Sequence, residues 1–394
     1  LRMSRGLGDV YKRQFVRLCR KVGLSVFLRI GPFVHGEVRN GGFPDWIIER
    51  EKEGMAIRCN NEEYLGYVRR FWKKVYAQVD GCMEKDGGPV IGIQIENEYG
   101  HVGGLQGPEG EAHIRTLTAM AKEIGFDVPL YTATGWGGAC IGDLLPVMGG
   151  YCEAPWDQRT CEIEPNANFV FSHTRNDALI ACDHHVENAN SYNEEDFPFL
   201  TAELGGGLQV TMHRRPVAKG CDVGAMSTVK MGSGAGLLGY YMYHGGSNPK
   251  GKLSTLQESR ATGYLNDLPE INYDFNAPIR QYGTISDSYR EIKLLALFLN
   301  DFGEDMASLR SEIPTIRILP GDMHTVRTAC RHDADHGYVF FNNYQRRWKM
   351  DDHPQVKLEG LLDGKASVGF PAFDLKEGMY GFFPYNMKLN DAVL

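Results

Sequence analysis

Residues 87–100 read Gly-Gly-Pro-Val-Ile-Gly-Ile-Gln-Ile-Glu-Asn-Glu-Tyr-Gly. An apolar, β-branched run passes without a break into Glu96, Asn97, Glu98 and Tyr99: carboxylate, amide, carboxylate, phenol. Two carboxyls can divide acid and base work, one holding a proton while the other stays charged. Such groups need a rigid mount, and the carboxyl end of a buried parallel strand supplies one. The run also fits a strand that closes in an acidic, solvated turn. Two more carboxylates stand in similar places. Glu37 ends Gly31-Pro32-Phe33-Val34-His35-Gly36-Glu37, after the apolar run 24–30, and Glu203 lies in Ala202-Glu203-Leu204-Gly205-Gly206-Gly207, after the run 197–201. His35 and His244 have weaker claims, because a histidine at a loop mouth serves equally well as a packed, hydrogen-bonded residue. His184 and His185 read as surface.

The elements that must position these groups follow from periodicity. Residues 15–23 read as a helix with Phe15, Leu18, Cys19 and Val22 on one face and Gly23 as its stop. The leader before it, 1–14, has no strand or helix period and reads as non-native. Residues 24–30 are a short buried strand. Over 61–79, Leu65, Val68, Phe71, Trp72, Val75 and Val79 oppose Arg69, Arg70, Lys73 and Lys74, an amphipathic helix that feeds the strand 89–95. A second helix over 109–124, stopped by Gly125, leads to a strand over 128–133. This alternation predicts a parallel sheet with crossover helices.

Further along, 148–151 suits a strand, 178–188 a helix and 194–196 a loop. Strands follow over 197–201 and 237–243, and a long helix over 286–302 carries Tyr289, Ile292, Leu295, Leu299 and Phe302 on one face. After Gly303, short alternating segments at 317–319, 325–330, 337–342 and 356–358 predict an antiparallel sandwich. The domain boundary therefore falls within 303–320.

With 394 residues, 42% of them hydrophobic, the chain can form one large domain and a small second one. A net charge of -8 leaves no basic footprint for nucleic acid. No apolar run reaches the ~20 residues of a membrane span. The nine cysteines are scattered without a Cys-x-x-Cys pair, and no zinc site or His-Glu-x-x-His motif is present. Cys152 and Cys161 could close a small loop disulfide or remain reduced.

Four blocks in order carry a family resemblance. They are Arg29-Ile30-Gly31-Pro32-Phe33 with Glu37 and Gly41-Gly42-Phe43-Pro44; Gln94-Ile95-Glu96-Asn97-Glu98-Tyr99-Gly100; Tyr241-Met242-Tyr243-His244-Gly245-Gly246-Ser247-Asn248; and Tyr273-Asp274-Phe275-Asn276-Ala277-Pro278. Together they resemble the signature of glycoside hydrolase family 35, over roughly residues 15–300. The resemblance implies an α/β fold, a (β/α)8 TIM barrel. Because 15–23 is similar to the helix before the third barrel strand, it implies a barrel lacking its first two strands over 15–303, followed by a truncated, β-rich accessory domain, a partial β-sandwich, over 304–394.

The resemblance also implies a retaining exo-β-galactosidase, which hydrolyses terminal non-reducing β-D-galactosyl residues of oligosaccharide or polysaccharide by double displacement. Glu98 would be the general acid/base and Glu203 the nucleophile. Gly36, Glu37, Asn97, Tyr241 and Tyr273 would bind substrate: Glu37 at the galactosyl 4- and 6-hydroxyls, Asn97 at the 2-hydroxyl, Tyr241 beside the nucleophile, Tyr273 lining the subsite. Glu96 would be structural, and Trp46 could stack a sugar ring or pack beneath its loop. A carboxyl separation of about 5 Å makes such an enzyme retaining. Glu98 must start protonated beside a charged Glu203, then act as base toward water once that charge is consumed. No cofactor or metal is called for.

Three departures qualify the match. The family's first strands, with their tyrosine and His-Glu-Pro loop, have no counterpart. Two of eight strands missing would leave unpaired sheet edges, so the polypeptide is expected to have little or no activity where its full-length parent is active. Phe275 stands where the family commonly has tyrosine, which removes one hydrogen bond of ~1 kcal/mol. The glycine run after Glu203 replaces the aromatic surroundings usual there. Asn342-Asn343-Tyr344-Gln345-Arg346 looks like the accessory sandwich of bacterial members, with export to the periplasm or medium as the corollary. Competing readings are another exo-β-glycosidase of the clan, such as an exo-β-glucosaminidase, and an inactive glycan-binding barrel. Glu98 and Glu203 occurring together favours an enzyme.

Overall fold

The computed structural model describes residues 7–35, 38–132, 134–177, 179–180, 190–212, 214–248 and 271–393. It is a mixed helix and strand structure whose contacts divide into two units. The first comprises 1–148, 176–197 and 248–271, and the second 149–175, 198–247 and 272–394. The helix expected over 178–188 lies, apart from residues 179 and 180, outside the described residues.

In the first unit, helix α1 (Leu7–Lys21) begins well before Phe15, inside the stretch that shows no period in sequence. It buries Val16 and Cys19, while Phe15, Leu18 and Val22 are 66%, 54% and 61% exposed. Of the expected apolar stripe only Cys19 packs; Val16, one position round from Phe15, joins it on the inward face. Strand β1 (Val26–Arg29) follows, then helix α2 (Asp45–Lys52), helix α3 (Glu62–Val79), strand β2 (Val90–Gln94), helix α4 (Gly107–Ile124) and strand β3 (Leu130–Tyr131). The three strands pair in the order β1-β2-β3, all parallel, with Leu28 opposite Ile93 and Ile93 opposite Leu130. Parallel neighbours require crossovers, and α3 and α4 are these.

α3 starts where the Asn61 side chain accepts from Tyr64 N–H at 3.0 Å. α4 stops at Gly125, whose φ of 114° is open to glycine and strained for other residues. Val68, Trp72, Val75 and Val79 of α3 pack with Val90, Ile93 and Ile95 and with Leu117 and Ala121 of α4 in one core. Trp72 donates to Ile30 O at 2.9 Å, which ties α3 to the end of β1. Tyr64, rather than the half-exposed Phe71, completes the buried face.

The second unit opens within β4 (Met148–Gly150), at Gly149, and β5 (Thr201–Leu204) pairs with that strand. β5 starts later than the expected 197–201, so Glu203 lies within the strand. Helix α5 (Gly220–Gly232) has no amphipathic signature because it is buried almost all round, which hides it from a search for a one-sided stripe. No strand forms over 237–243. Leu237 and Tyr240 make only single parallel bridges to Leu200 and Leu204. β6 (Gly246–Ser247) and β7 (Asn272–Tyr273) pair antiparallel, and α6 (Asp287–Ser308) runs one and a half turns past the expected stop.

The rest is antiparallel. β8 (Arg310–Glu312), β9 (Arg327–His332) and β10 (Gly337–Asn342) precede β11 (His353–Val356), β12 (Glu359–Leu362), β13 (Lys365–Gly369), β14 (Phe373–Leu375) and β15 (Tyr380–Tyr385). The largest sheet has the order β15-β10-β9-β8, with two-stranded pairs β11-β14 and β12-β13 beside it in sequence. Residues 317–319, expected as a strand, are irregular. Met231 and Val229 of α5, Met306 of α6 and Tyr338 and Phe340 of β10 share a core. Cys152 is buried, Cys161 is exposed, and the two are not bonded.

Candidate active site

β2 ends at Gln94, and the chain then makes a tight polar turn. Glu96 and Glu98 have φ of 58° and 47°, left-handed values that cost a non-glycine residue on the order of 1–3 kcal/mol. Hydrogen bonds hold the turn against that cost. Gln94 Nε2 donates to Glu96 O at 2.8 Å, Glu96 N–H to Gly31 O at 3.0 Å, and Val102 N–H to Glu98 O at 2.6 Å. Glu96, 1% exposed, forms a fork-like pair with Arg58, at 2.9 Å and 3.3 Å, and accepts Asn97 N–H at 3.1 Å. Arg58 also donates to Asn97 O at 3.1 Å and Val102 O at 2.8 Å, and its guanidinium lies 3.8 Å from the centre of the Phe33 ring. Burial raises the Glu96 pKa, and Arg58 pulls it back. This carboxylate is fully engaged in bracing the turn.

Asn97 and Glu98 are the residues that the brace presents. Asn97 Oδ1 accepts from Arg29 at 2.8 Å and from Gln94 at 3.0 Å, which fixes the orientation of the amide and leaves Nδ2 as its donor end. Nδ2 reaches Glu98 Oε1 at 3.3 Å. Glu98 is 7% exposed. His35 stacks on Phe33, with ring centres 6.0 Å apart, and Trp46 on α2 is half exposed and meets Tyr67 edge-on at 5.0 Å. Gly36 and Glu37 lie outside the described residues.

In the second unit, Tyr151, just past β4, donates its hydroxyl to Glu203 Oε1 at 3.0 Å. The hydroxyls of Tyr241 and Tyr273 hydrogen-bond each other, and Phe275 meets both rings, at 5.5 Å and 5.0 Å between centres. His244 pairs through Nδ1 with Gly245 O at 2.6 Å. The glycine run after Glu203 has a packing reason. A Cβ on Gly206 would sit 2.4 Å from Met242 O, and one on Gly207 would sit 2.1 Å from Phe275 O. The loops that carry Tyr241 and Phe275 thus lie against bare backbone. Aromatic groups do gather in this unit, brought by distant segments.

Arg58, Arg29, Gln94 and Tyr151 were missed as partners in sequence. Tyr151 left a signal as the last residue of an expected strand, and Arg29 and Gln94 stand in the blocks that carry the family resemblance, at the ends of β1 and β2. Arg58 left none, since a lone basic residue in a loop has no pattern.

The model for glycosyl hydrolases family 35 matches residues 4–298. The chain belongs to that family. Its relatives include beta-galactosidase 17 of Arabidopsis thaliana, 29% identical over 72% of this chain and 37% of the relative. Beta-galactosidase 6 of Oryza sativa subsp. japonica is 30% identical over 69% of the chain and 26% of the relative, and rice beta-galactosidase 8 is 26% identical over 72% and 38%. The family 35 chain thus spans between about a quarter and two fifths of the length of these curated relatives. Among the described residues, no helix is long and apolar enough to cross a membrane.

Proposed function

We propose that the protein is a retaining exo-β-galactosidase that acts outside the cytoplasm on terminal non-reducing β-D-galactosyl residues of oligosaccharides or polysaccharides. The observation that carries this reading is the braced turn after β2: in a family 35 chain, it presents a buried carboxylate, Glu98, with an oriented amide donor, Asn97, beside it. The relatives named beta-galactosidase support the choice of sugar.

In this reading Glu98 starts protonated and gives its proton to the glycosidic oxygen as that bond breaks. Glu203 attacks the anomeric carbon and forms a glycosyl ester. Glu98, now charged, takes a proton from water, which displaces Glu203 and regenerates both carboxyls. Asn97 Nδ2 donates to the sugar 2-hydroxyl, Glu37 engages the 4- and 6-hydroxyls with Gly36 beside it in sequence, and Tyr241 and Tyr273 line the subsite. Tyr151 holds the Glu203 carboxylate by the hydrogen bond it donates.

The same reading takes β1, β2 and β3 with their crossovers as part of a (β/α)8 barrel without its first two strands, within 15–303. Residues 304–394 are then a partial β-sandwich. The parallel order of the first strands and the antiparallel order of β15-β10-β9-β8 support this division. Hydrolysis of 4-nitrophenyl β-D-galactopyranoside by Glu203→Gln in the full-length parent tests the function. A fall in kcat of at least about 10³-fold is expected; hydrolysis at the unsubstituted rate would exclude Glu203 as nucleophile.

A further inference from the structure

The segment that follows β10 is buried and polar, and it is tied to the residue that holds Glu203. Gln345, 1% exposed, donates from Nε2 to Asn166 O at 3.1 Å while its Oε1 accepts from Arg327 at 2.8 Å. Asn166 Nδ2 donates to Tyr151 O at 2.8 Å, and Asn168 Nδ2 donates to the same oxygen at 3.0 Å. Tyr151 OH donates to Glu203 Oε1. Hydrogen bonds therefore run without a gap in space from the loop after β10 to the backbone of Tyr151, whose side chain bonds the carboxylate.

A second tie is parallel to the first. Glu153, two positions beyond Tyr151, is 6% exposed and sits among three arginines: Arg346 at 2.9 Å, Arg347 at 3.1 Å and Arg214 at 3.9 Å. Arg346 also pairs with Asp222, which in turn accepts the Lys219 backbone N–H at the start of α5 and the Tyr344 hydroxyl. On the far side of the segment, Arg327 and Asn342 both donate to Phe169 O, at 3.0 Å and 2.6 Å. Residues 151–169 are thus gripped along their length by β9, β10 and the loop after β10. Surface packing does not call for that many buried polar groups. Each would cost about 1–3 kcal/mol if left unpaired, so the set demands one geometry.

We propose that Gln345 and Arg346, which lie beyond the residues matched by the family model, are positioning residues for the reaction: acting through Asn166 and Glu153, they set where Tyr151 holds Glu203. The inference rests on the reading of Glu203 as nucleophile. The region after residue 303 is then part of the catalytic apparatus, and its polar loop determines the attack geometry of a carboxylate on a strand more than a hundred residues earlier in sequence.

The test, made in the full-length parent, separates positioning from folding. Gln345→Glu keeps the acceptor for Arg327 and loses the donor to Asn166; Asn166→Asp keeps the oxygen that accepts Asn168 N–H and loses the donor to Tyr151. The probe is 2-deoxy-2-fluoro-β-D-galactosyl fluoride, which forms an ester on the nucleophile with loss of fluoride, read as a mass increase of the intact protein. Both variants are expected to slow the limiting rate of labelling about tenfold with the half-saturating probe concentration held within about twofold. In a Tyr151→Phe background, the same substitutions are expected to add nothing further, because the path is already cut. Labelling at the unsubstituted rate in both variants, or an equal further loss in the Tyr151→Phe background, overturns the inference. Labelling that survives in Glu203→Gln overturns the assignment of the nucleophile instead, so the two failures are distinct. Lys376→Ala, exposed just past β14, is the control expected to label normally.

Discussion

Glu98 and Glu203 are held by different physics. Around Glu98 the chain uses local polar groups: Gln94, Glu96 and Asn97 come from one turn, and Arg58 and Arg29 lock it. The turn has two left-handed residues and is stiff because its hydrogen bonds are buried. Around Glu203 the backbone is an ordinary strand, and the surroundings are imported. Tyr151, Tyr241 and the pair Tyr273 and Phe275 come from three separate segments, and glycines give them room. One carboxylate is placed by its own sequence neighbours, the other by long-range packing. Substitutions should therefore act on the first through local charge and on the second through shape.

The largest stability effect expected is at the charge end. Arg58→Met would leave Glu96 buried without its cation, at a cost of about 3–5 kcal/mol. Urea denaturation measures it, and a loss under about 1 kcal/mol would mean that the pair does not brace the turn. The double variant Arg58→Met with Glu96→Gln should recover a large part, since it removes the stranded charge.

Next in size is a pH effect in the same unit. His113 on α4 is fully buried, its Nδ1 lies 2.9 Å from Asn60 Oδ1, and burial with the nearby Arg58 lowers its pKa from 6.5 to about 4. The folded state resists a proton that the unfolded state takes up. The contribution is complete above pH 6.5 and lost as pH falls toward 4. At about 1.4 kcal/mol for each pH unit of that interval, it amounts to on the order of 3 kcal/mol. Denaturation of the parent and of His113→Gln across pH 4–7 should show a shallower slope for the variant; parallel slopes would assign the acid loss to other groups.

The smallest effect belongs to the shape end. Gly207→Ala forces a methyl toward Phe275 O, and overpacking of this kind costs about 1–3 kcal/mol. Its signature is a higher KM for a β-galactoside, because the loop with Tyr273 and Phe275 must move. Gly369→Ala, where a Cβ meets nothing within 4 Å and φ lies outside the left-handed region, as it does at Gly207, is the control. Equal behaviour of the two in KM would remove the shape argument.

The same contrast explains what the sequence made legible. The strand–helix alternation through α3, β2 and α4 was readable because each element has a single wet face or none, bounded by Asn61 or Gly125. The Glu-Asn-Glu-Tyr turn was readable because it is contiguous. α5 was not, because a helix buried on all sides lacks a period, and neither was the inward face of α1, where two candidate stripes differ by one position. The strand over 237–243 looked apolar enough, yet it is held by single bridges, since pairing depends on neighbours that no local pattern reveals. The bond from Tyr151 to Glu203 became visible only once β4 and β5 were paired.

The assignment of the two carboxyls is tested most directly by azide rescue of the alanine variants on an activated aryl β-galactoside, with the anomer of the product read by proton NMR. Without the Glu98 side chain the galactosyl ester on Glu203 still forms, and azide takes the place of water, which predicts β-galactosyl azide from Glu98→Ala. Without the Glu203 side chain azide replaces the nucleophile itself, which predicts α-galactosyl azide from Glu203→Ala. The opposite pair of anomers, or rescue of neither variant, would contradict the roles given to both residues.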